Sequence, residues 1–290
     1  MPTVLARIGS GTFISFELWP PRSAESAAAL EATLERLTPL GPAFVAVTYG
    51  AGGSTRERTH DLVVRMVDSP LLPLAHLTCA AHHRDELVAL MRRYRRAGVD
   101  NLLALHGDPP LSATEALPDG DLRYAVELVR LARELGFPCV GVAVHPQGHP
   151  AAESAQADRS HQAAKLREAD FALTQFFHEA DDYFALVEDL AARGADAPIV
   201  PGVMPITNVR QLERMAAMSG ASIPLDLAER LHAVADQPDE VRRIGVQHAT
   251  ELCQRLLDGG APGLHFYTMN RAAATLQVCA NLGWEAAGAK

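Results

Sequence analysis

Short apolar runs alternate along the chain with longer stretches in which apolar residues recur at helical spacing. This alternation predicts an α/β protein in which parallel strands are joined by crossover helices. Several runs are apolar at nearly every position, which is typical of parallel strands that helices cover on both faces. The predicted strands are Thr12–Trp19, Ala43–Tyr49, Leu74–Cys79, Asn101–His106, Pro138–His145, Phe171–Phe177, Pro198–Met204 and Gly263–Met269.

Signals for helix ends agree with this division. Ser54 and Glu57 have the spacing of a capping box and predict the start of a helix. Gly98, Gly136 and Gly194 follow predicted helices at the position where a left-handed residue commonly ends a helix. Each inter-strand stretch is therefore predicted to hold a helix with defined ends.

The spacing of the strands favours a closed barrel. The first seven strands begin about 30 residues apart, the length of one strand–helix unit. The last interval is twice as long, and its segment from Pro224 to Gly259 predicts extra helices before the eighth strand. Eight units without a linker or repeat predict a (β/α)8 TIM barrel, with residues 1–290 as a single domain. An open dinucleotide-binding sheet would carry a glycine-rich turn after its first strand, but Pro20 and Pro21 stand there.

Composition and charge narrow the function classes. The 290-residue chain has a net charge of −9, which argues against a nucleic-acid partner. It has no apolar run of about 20 residues and no signal-peptide core at its beginning, so we expect no membrane partner and a cytoplasmic location. The four cysteines are far apart and are predicted to be reduced thiols. The number of chains that assemble is left open, and a homo-oligomer is compatible with the sequence.

Polar residues stand at the carboxyl end of every predicted strand, where a barrel of this kind carries its active site. Strand-end caps could explain one or two of them. They are Glu17, Thr48, His76 with Thr78, His106 with Asp108, His145, Gln175, Asn208 and Arg271. Their convergence predicts a site at this end of the barrel.

Glu17 and Asp108 are the predicted catalytic residues. Glu17 lies in an apolar segment that disfavours its ionised form, so it can act as a general acid near neutral pH. The alternative is an ordinary ion pair with an arginine. Asp108 is placed between Gly107 and two prolines, which suits a carboxylate that must hold its position, although a simple turn aspartate is the alternative. No metal site is predicted, because Pro146 and Pro150 break the helix that the spacing of His145 and His149 would need.

Seven segments resemble the methylenetetrahydrofolate reductases, in the order of that family and over nearly the whole chain. They are Phe16–Pro21, Val47–Ala51, His76–Cys79, Asn101–Pro110, Thr174–Phe177, Pro201–Pro205 and His265–Arg271. The resemblance implies an NAD(P)H-dependent oxidoreductase, a barrel that reduces 5,10-methylenetetrahydrofolate to 5-methyltetrahydrofolate with electrons from NADH or NADPH relayed by FAD. It also implies the short bacterial type.

Site residues follow from the resemblance position by position. Glu17 matches the general acid, Asp108 an aspartate between flavin and folate, and Gln175 a glutamine that holds the pterin. Arg271 matches a substrate-binding arginine, and Tyr267 and Asn208 are assigned to the substrate with it. The positions that match flavin contacts are Thr48, His76, Asp108, Tyr124, Ala125, His149, Asp158 and Lys165.

Four positions that contact flavin in the family carry a different residue in this chain. His106 and Ala164 replace arginines, His145 a tyrosine and His161 an asparagine. Because lost guanidiniums weaken diphosphate binding, we predict that FAD binds weakly or not at all and that the nicotinamide gives its hydride directly to the folate. The alternative is a catalytically silent folate-binding relative that acts as a sensor or partner subunit. A lyase or aldolase is disfavoured, because no lysine stands at a strand end for a Schiff base.

Overall fold

All strands are parallel and belong to one sheet. A computed structural model describes residues 2–49, 53–107 and 120–285. The strands are β1 (Phe13–Leu18), β2 (Val45–Val47), β3 (Pro73–Thr78), β4 (Asn101–Leu105), β5 (Cys139–Val144), β6 (Phe171–Thr174), β7 (Ile199–Val200), β8 (Gly202–Val203) and β9 (Gly263–Tyr267). Each predicted strand is found at its expected place, although most are one to three residues shorter at an end than the apolar run.

The sheet closes through β7 and β8, which only Pro201 separates. β7 pairs with β6 on one side, and β8 pairs with β9 on the other. The two segments are therefore halves of the predicted seventh strand, divided because proline has no N–H to donate to a neighbouring strand. The carbonyl of Pro201 still accepts a hydrogen bond from His265 N at 2.9 Å. The fold is a TIM barrel, as predicted.

The helices surround this barrel. They are α1 (Val4–Ile8), α2 (Ala24–Leu37), α3 (Gly53–Val67), α4 (Arg84–Arg96), α5 (Ala125–Glu134), α6 (Ala155–Leu166), α7 (Ala180–Ala192), α8 (Val209–Ser219), α9 (Leu225–His232), α10 (Pro238–Asp258) and α11 (Ala272–Asn281). The extra helices expected before the last strand are α9 and α10. Gly98, Gly136 and Gly194 have φ of +83°, +78° and +72°, which confirms the predicted helix ends.

Two further expectations concern this part of the structure. The side chain of Ser54 lies outside the described residues, so the predicted capping box stays a prediction. The four cysteines are buried and unpaired, as expected of reduced thiols. None of the described helices is long and apolar enough to span a membrane.

Aromatic rings fill the amino-terminal half of the barrel interior. Phe44 lies at the centre, with the Phe13 ring at 6.0 Å and the Phe171 ring at 6.4 Å between centroids. The short helix α1 closes this end, because Val4 and Ile8 pack into the same apolar cluster. The sequence pattern did not predict α1, since five residues are too few to show helical periodicity. The packed lower half leaves only the carboxyl end of the barrel open to polar residues.

Gly141 makes room for one of these rings. A Cβ atom at this position would lie 2.4 Å from Phe171 Cζ. The Phe171 ring is fully buried and cannot move aside without a shift of its neighbours.

We therefore predict that Gly141→Ala lowers the free energy of unfolding by about 1–3 kcal/mol, the usual cost of overpacking a core. Urea denaturation followed by circular dichroism measures the change. Gly9→Ala is the control, because a Cβ there meets nothing closer than 3.7 Å. Phe171→Leu in the Gly141→Ala background should recover part of the loss, and equal stability of Gly141→Ala and the wild type would contradict the packing argument.

Candidate active site

Glu17 lies at the mouth of the barrel, on the inner face of β1. Its side chain is 12 % exposed. Oε2 lies 3.7 Å from His76 Nε2 on β3 and 3.8 Å from His265 Nε2 on β9. These distances are longer than a hydrogen bond, yet a small rotation of the carboxyl group would close either one. The predicted alternative, an ion pair with an arginine, is absent for Glu17 among the described residues.

His265 lies on the inner face of β9 and is held by contacts on two sides. It is completely buried. Its Nδ1 lies 2.9 Å from Ser15 Oγ, and the Phe44 ring stacks on its own ring at 5.7 Å with an interplanar angle of 17°. Ser15 and His265 face each other in the register of β1 and β9. Ser15 therefore holds the edge of the imidazole, and the Phe44 ring supports its lower face.

His76 approaches Glu17 as a neutral ring. Burial lowers the pKa of His76 to about 4, against a smaller opposing effect of Glu17. Its Nε2 and that of His265 are buried and have no hydrogen-bond partner in the described part of the chain. The carboxyl group therefore meets the neutral His76 and the buried ring of His265, and it pairs with no arginine or lysine of the described residues.

Tyr267 completes this layer. Its hydroxyl donates to Thr174 O at 2.5 Å, across the end of β8. Gly202 permits this path, because a Cβ there would lie 2.5 Å from the Tyr267 ring. Burial, together with the nearby Glu17, raises the pKa of Tyr267 well above its ordinary value. Because the Tyr267 hydroxyl donates its hydrogen bond to the main chain, a ligand would contact the aromatic ring of Tyr267.

The loop after β9 is tied to the end of β1. Thr268 Oγ1 donates to Glu17 O at 2.7 Å, and the Asn270 side chain bonds both Trp19 N and Trp19 O. This clamp places Arg271 at the start of α11, exposed and without an ion pair in the described structure. The guanidinium of Arg271 therefore lies at the rim of the barrel mouth, and it is not in contact with the carboxyl group of Glu17.

Gln175 follows β6 and faces a cleft. Its main chain is fixed by a bond from Gln175 N to Val144 O at 2.8 Å. The cleft is lined by His145, Pro146, Gln147, Gly148, Gln175, Phe176, Ser219 and Ala221. The structure therefore brings the glutamine assigned to the pterin together with His145, which was assigned to the cofactor.

A second polar cluster connects the loop after β5 with α6. The Asp158 carboxylate accepts from Gln162 Nε2 at 2.5 Å and from His149 N at 3.3 Å. The rings of His145 and His149 meet edge to face at 4.8 Å. No group of three or more His, Cys, Asp or Glu side chains in the described residues is arranged to hold a metal ion.

The basic side chains of this second cluster differ in whether they are charged and in whether they are already bonded to the protein. Arg159 is committed, since its guanidinium donates to His145 O at 2.8 Å and to Pro146 O. Burial, with smaller effects of Lys165 and neighbouring rings, lowers the pKa of His145 to about 3, so its ring is neutral. Burial lowers the pKa of Lys165 to about 8, and Asp158 opposes this. Lys165 makes no hydrogen bond or ion pair within the described chain, and its ammonium is the uncommitted cation of the cluster.

The other predicted residues are spread around the mouth. Thr48 follows β2, and its carbonyl accepts from Thr59 Oγ1 at 3.1 Å. Tyr124 and Ala125 begin α5, where the Tyr124 ring is 56 % exposed. Asn208 caps α8 by accepting from Gln211 N at 2.9 Å. His106 is exposed beyond β4, and His161 is exposed on α6. Asp108 lies outside the described residues, and its catalytic role stays a prediction.

Sequence reasoning missed Ser15 and His265 as site residues. A signal was available, because Ser15 precedes Glu17 by two and so shares its face of β1. A polar residue on the inner face of a buried strand needs a partner, and the partner is His265.

Comparisons with known proteins show the family of this chain. A family model described as methylenetetrahydrofolate reductase matches residues 5–283. The chain belongs to the methylenetetrahydrofolate reductase family. The 5,10-methylenetetrahydrofolate reductase of Escherichia coli (strain K12) is 35% identical over 282 residues, 96% of this chain and 93% of that protein. The predictions of this family and of an oxidoreductase are confirmed.

Other relatives show the range of this reductase family. The 5,10-methylenetetrahydrofolate reductase of Pectobacterium carotovorum is 34% identical over 281 residues. Methylenetetrahydrofolate reductase (NADH) 1 of Arabidopsis thaliana is 32% identical, and the match spans 94% of this chain but only 48% of the plant protein. An uncharacterised protein from Clostridium thermocellum, described as binding two copies of 5-methyl-5,6,7,8-tetrahydrofolic acid, has a TM-score of 0.63 at 14% identity over 96% of this chain and 95% of its own. At that identity it supports the fold alone.

We predict that this reductase becomes less stable as the pH falls from about 6.5 toward 4. His76 and His145 have folded-state pKa values of about 4 and about 3, below the ordinary 6.5. The unfolded chain therefore binds more protons in this window, and each histidine adds a slope of at most about 1.4 kcal/mol per pH unit. Urea denaturation at several pH values measures the slope. His76→Gln and His145→Gln should each make it shallower, and an unchanged slope in both would contradict the buried neutral rings.

Proposed function

We propose that this enzyme reduces 5,10-methylenetetrahydrofolate to 5-methyltetrahydrofolate with a hydride that NADH or NADPH gives directly to the folate, without a flavin relay. Residues 1–290 act as one catalytic barrel domain. The observation that carries the proposal is the contrast between the two clusters. Glu17 is largely buried among strand residues of the barrel, beside His76 and His265, whereas among the described residues of the cofactor cluster around α6 the one uncommitted cation is Lys165.

Glu17 supplies the proton in this reaction. Its carboxyl proton is transferred to the bridging N10 of the substrate, the bond from N10 to the methylene carbon breaks with its electron pair going to N10, and N5 carries the resulting iminium. Glu17 is left as a carboxylate, which takes a proton from solvent before the next turnover. The hydride then adds to the methylene carbon, and the nicotinamide leaves oxidised. Glu17 suits this role because it lies at the mouth within 4 Å of two imidazoles, and no arginine or lysine of the described residues pairs with it.

Four groups suit the folate. Gln175 follows β6 beside the mouth, where its Oε1 accepts from Phe176 N at 3.0 Å, and its amide can still match donors and acceptors of a pterin. The half-buried Tyr267 can offer its ring, while Asn208 at the start of α8 is held in place by its own cap bond. The free guanidinium of Arg271 suits a carboxylate of the folate tail.

The nicotinamide cofactor is assigned to the α6 cluster and the adjoining rim. Lys165 would face its diphosphate, and His145, His149 and the exposed His161 would line the same side. Asp158 orients the cluster through Gln162 and His149. Thr48, His76, His106, Tyr124 and Ala125 lie around the mouth between this cluster and the acid. NADH and NADPH are not distinguished by these residues.

The same residues are a poor fit to a resident flavin diphosphate. The neutral His145 and the committed Arg159 contribute no free charge. A co-substrate must leave in every turnover, and KM values of about 1 μM to 1 mM suffice for it. One ammonium is adequate for binding of that strength, whereas a flavin that stays bound through purification needs more charge-assisted bonds.

We predict that the purified enzyme is colourless and transfers deuterium from 4-deuterated NADH to the product methyl group without loss to solvent. Direct transfer keeps the label, whereas a reduced flavin exchanges its transferable hydrogen with water before passing it on. Mass spectrometry of the product measures the label. Initial rates at varied concentrations of both substrates should show the intersecting pattern of a ternary complex.

Added FAD is the control for this experiment. Turnover that needs FAD, or a yellow protein whose absorbance bleaches with NADH, would contradict direct transfer while leaving the reductase assignment intact. Folate binding without turnover under either condition would instead favour the catalytically silent relative.

We predict that Glu17→Gln lowers kcat by at least about 10²-fold, the usual contribution of a general acid, because the amide cannot give up a proton. The affinity for folate should change little, since the side chain keeps its shape. Steady-state kinetics and fluorescence titration of folate measure the two effects.

Glu188→Gln is the matched control, because Glu188 is exposed on α7, away from the mouth. Gln175→Ala provides the opposite pattern, with weaker folate binding and a smaller effect on kcat. A Glu17→Gln enzyme with nearly normal turnover would refute the acid role.

A further inference from the structure

Gln147 joins the loop after β5 to two other parts of the structure. Its Nε2 donates to Asp182 Oδ2 on α7 at 2.8 Å and to Ser222 Oγ in the loop after α8. Its Oε1 accepts from Ser222 N at 2.7 Å. Because a main-chain N–H can only donate, the amide has a single orientation, in which both of its hydrogens are bonded. One side chain therefore connects three elements.

The main chain that carries Gln147 is itself held in place. Gly148 N donates to His145 O at 3.2 Å, which closes a turn. The guanidinium of Arg159 on α6 holds the carbonyls of His145 and Pro146. Since the backbone of this loop is fixed to α6, the Gln147 side chain relates the position of the loop to α7 and to the end of α8.

Two further observations strengthen this connection. Gly220 ends α8 and lies against the same loop, since a Cβ atom there would be 3.4 Å from Pro150 Cβ. Burial raises the pKa of Asp182, and the hydrogen bond from Gln147 opposes this by favouring the carboxylate. A hydrogen bond to a carboxylate is stronger than one between neutral groups. The loop after β5 and the end of α8 are therefore joined at two points, one of them charge-assisted.

The bonds of Gln147 span the cleft between groups assigned to different ligands. His145 lines the cleft and belongs to the proposed nicotinamide site, whereas Gln175 in the same lining is assigned to the folate. Ser219, also in the lining, is the last residue of α8, and Asn208 stands at the start of that helix. A ligand that orders one side of the cleft therefore orders the other, and the second ligand binds with a smaller loss of conformational entropy.

We propose that Gln147 is a positioning residue that couples the binding of the nicotinamide to the binding of the folate. The inference rests on the proposed function, because coupling needs both ligands on the enzyme at once. Gln147 acts through the two loops that it joins and takes no part in the transfer of the proton or the hydride. The coupling is reciprocal, so each ligand tightens the other by the same factor.

Equilibrium binding without turnover measures this coupling. NADH is titrated by its fluorescence with and without saturating 5-methyltetrahydrofolate, the reaction product. In the wild type we expect the product to tighten NADH binding about 5-fold or more, the lower end of typical coupling between sites. In Gln147→Ala this factor should fall below about 2, while kcat at saturating substrates should change less than about 2-fold, because the proton and hydride donors are untouched.

Exchange of the two polar groups provides a rescue. Gln147→Glu places a carboxylate against that of Asp182 and should abolish the coupling, as Gln147→Ala does. The double variant Gln147→Glu/Asp182→Asn restores a donor and an acceptor, because the new asparagine amide can donate to the new carboxylate, and it should regain the coupling. Asp182→Asn alone should keep the coupling, since its amide oxygen can still accept from Gln147.

Gln254→Ala is the matched control, because Gln254 Nε2 also donates to an aspartate, Asp258, at 2.8 Å, but along the exposed face of α10. Its coupling should equal that of the wild type. Coupling that survives in Gln147→Ala, independent binding in the wild type, or a double variant that stays uncoupled would overturn the role of Gln147 and leave the proposed function intact. Mutual exclusion of NADH and 5-methyltetrahydrofolate in the wild type would instead contradict direct transfer, and the coupling with it.

Discussion

The ring of Phe44 joins the fold to the chemistry. It packs against Phe13 and Phe171 in the lower barrel, and its upper face supports His265. An aromatic plug of this kind excludes water from below, so the polar layer above it is solvated from the mouth alone. The neutral state of His76 follows from this burial. The apolar lower half of the barrel thereby forms a low-dielectric floor beneath the polar layer that holds Glu17.

Charge is divided between two places in the molecule. Among the described residues, the mouth holds the acid and two imidazoles without an arginine or lysine paired to the acid, whereas Arg271 at the rim and Lys165 on α6 are cations without an ion pair. A cation beside Glu17 would stabilise the carboxylate and spoil a general acid. Cations at the edge can still attract anionic ligands, because their attraction acts over several ångströms. The net charge of −9 is therefore no obstacle to binding anionic substrates.

The fold could be predicted from the sequence, but the residues that surround Glu17 could not. Apolar runs located every strand because both faces of a parallel strand are buried, and the glycines located helix ends because their backbone conformation is special. The division of one strand at Pro201 and the helix α1 were missed, since a two-residue strand segment and a five-residue helix are below the reach of periodicity. Glu17 stood out by its apolar neighbours. Ser15 and His265 are 250 residues apart, and only the register of β1 with β9 brings them together.

The two clusters also differ in how readily their side chains can be substituted without disturbing the packing of the barrel. Ser15, Glu17, His265 and Tyr267 occupy paired positions on two adjacent strands, so a change in one side chain disturbs the packing of the barrel interior. The cofactor cluster lies on a loop and on α6, where the exposed His161 can vary without disturbing the core. In a barrel of this kind, substitutions can weaken the binding of one cofactor while the acid and the folate-binding groups remain in place. The departures at His106, His145, His161 and Ala164 follow that division, because each lies after a strand or on a helix and none lies within β1 or β9.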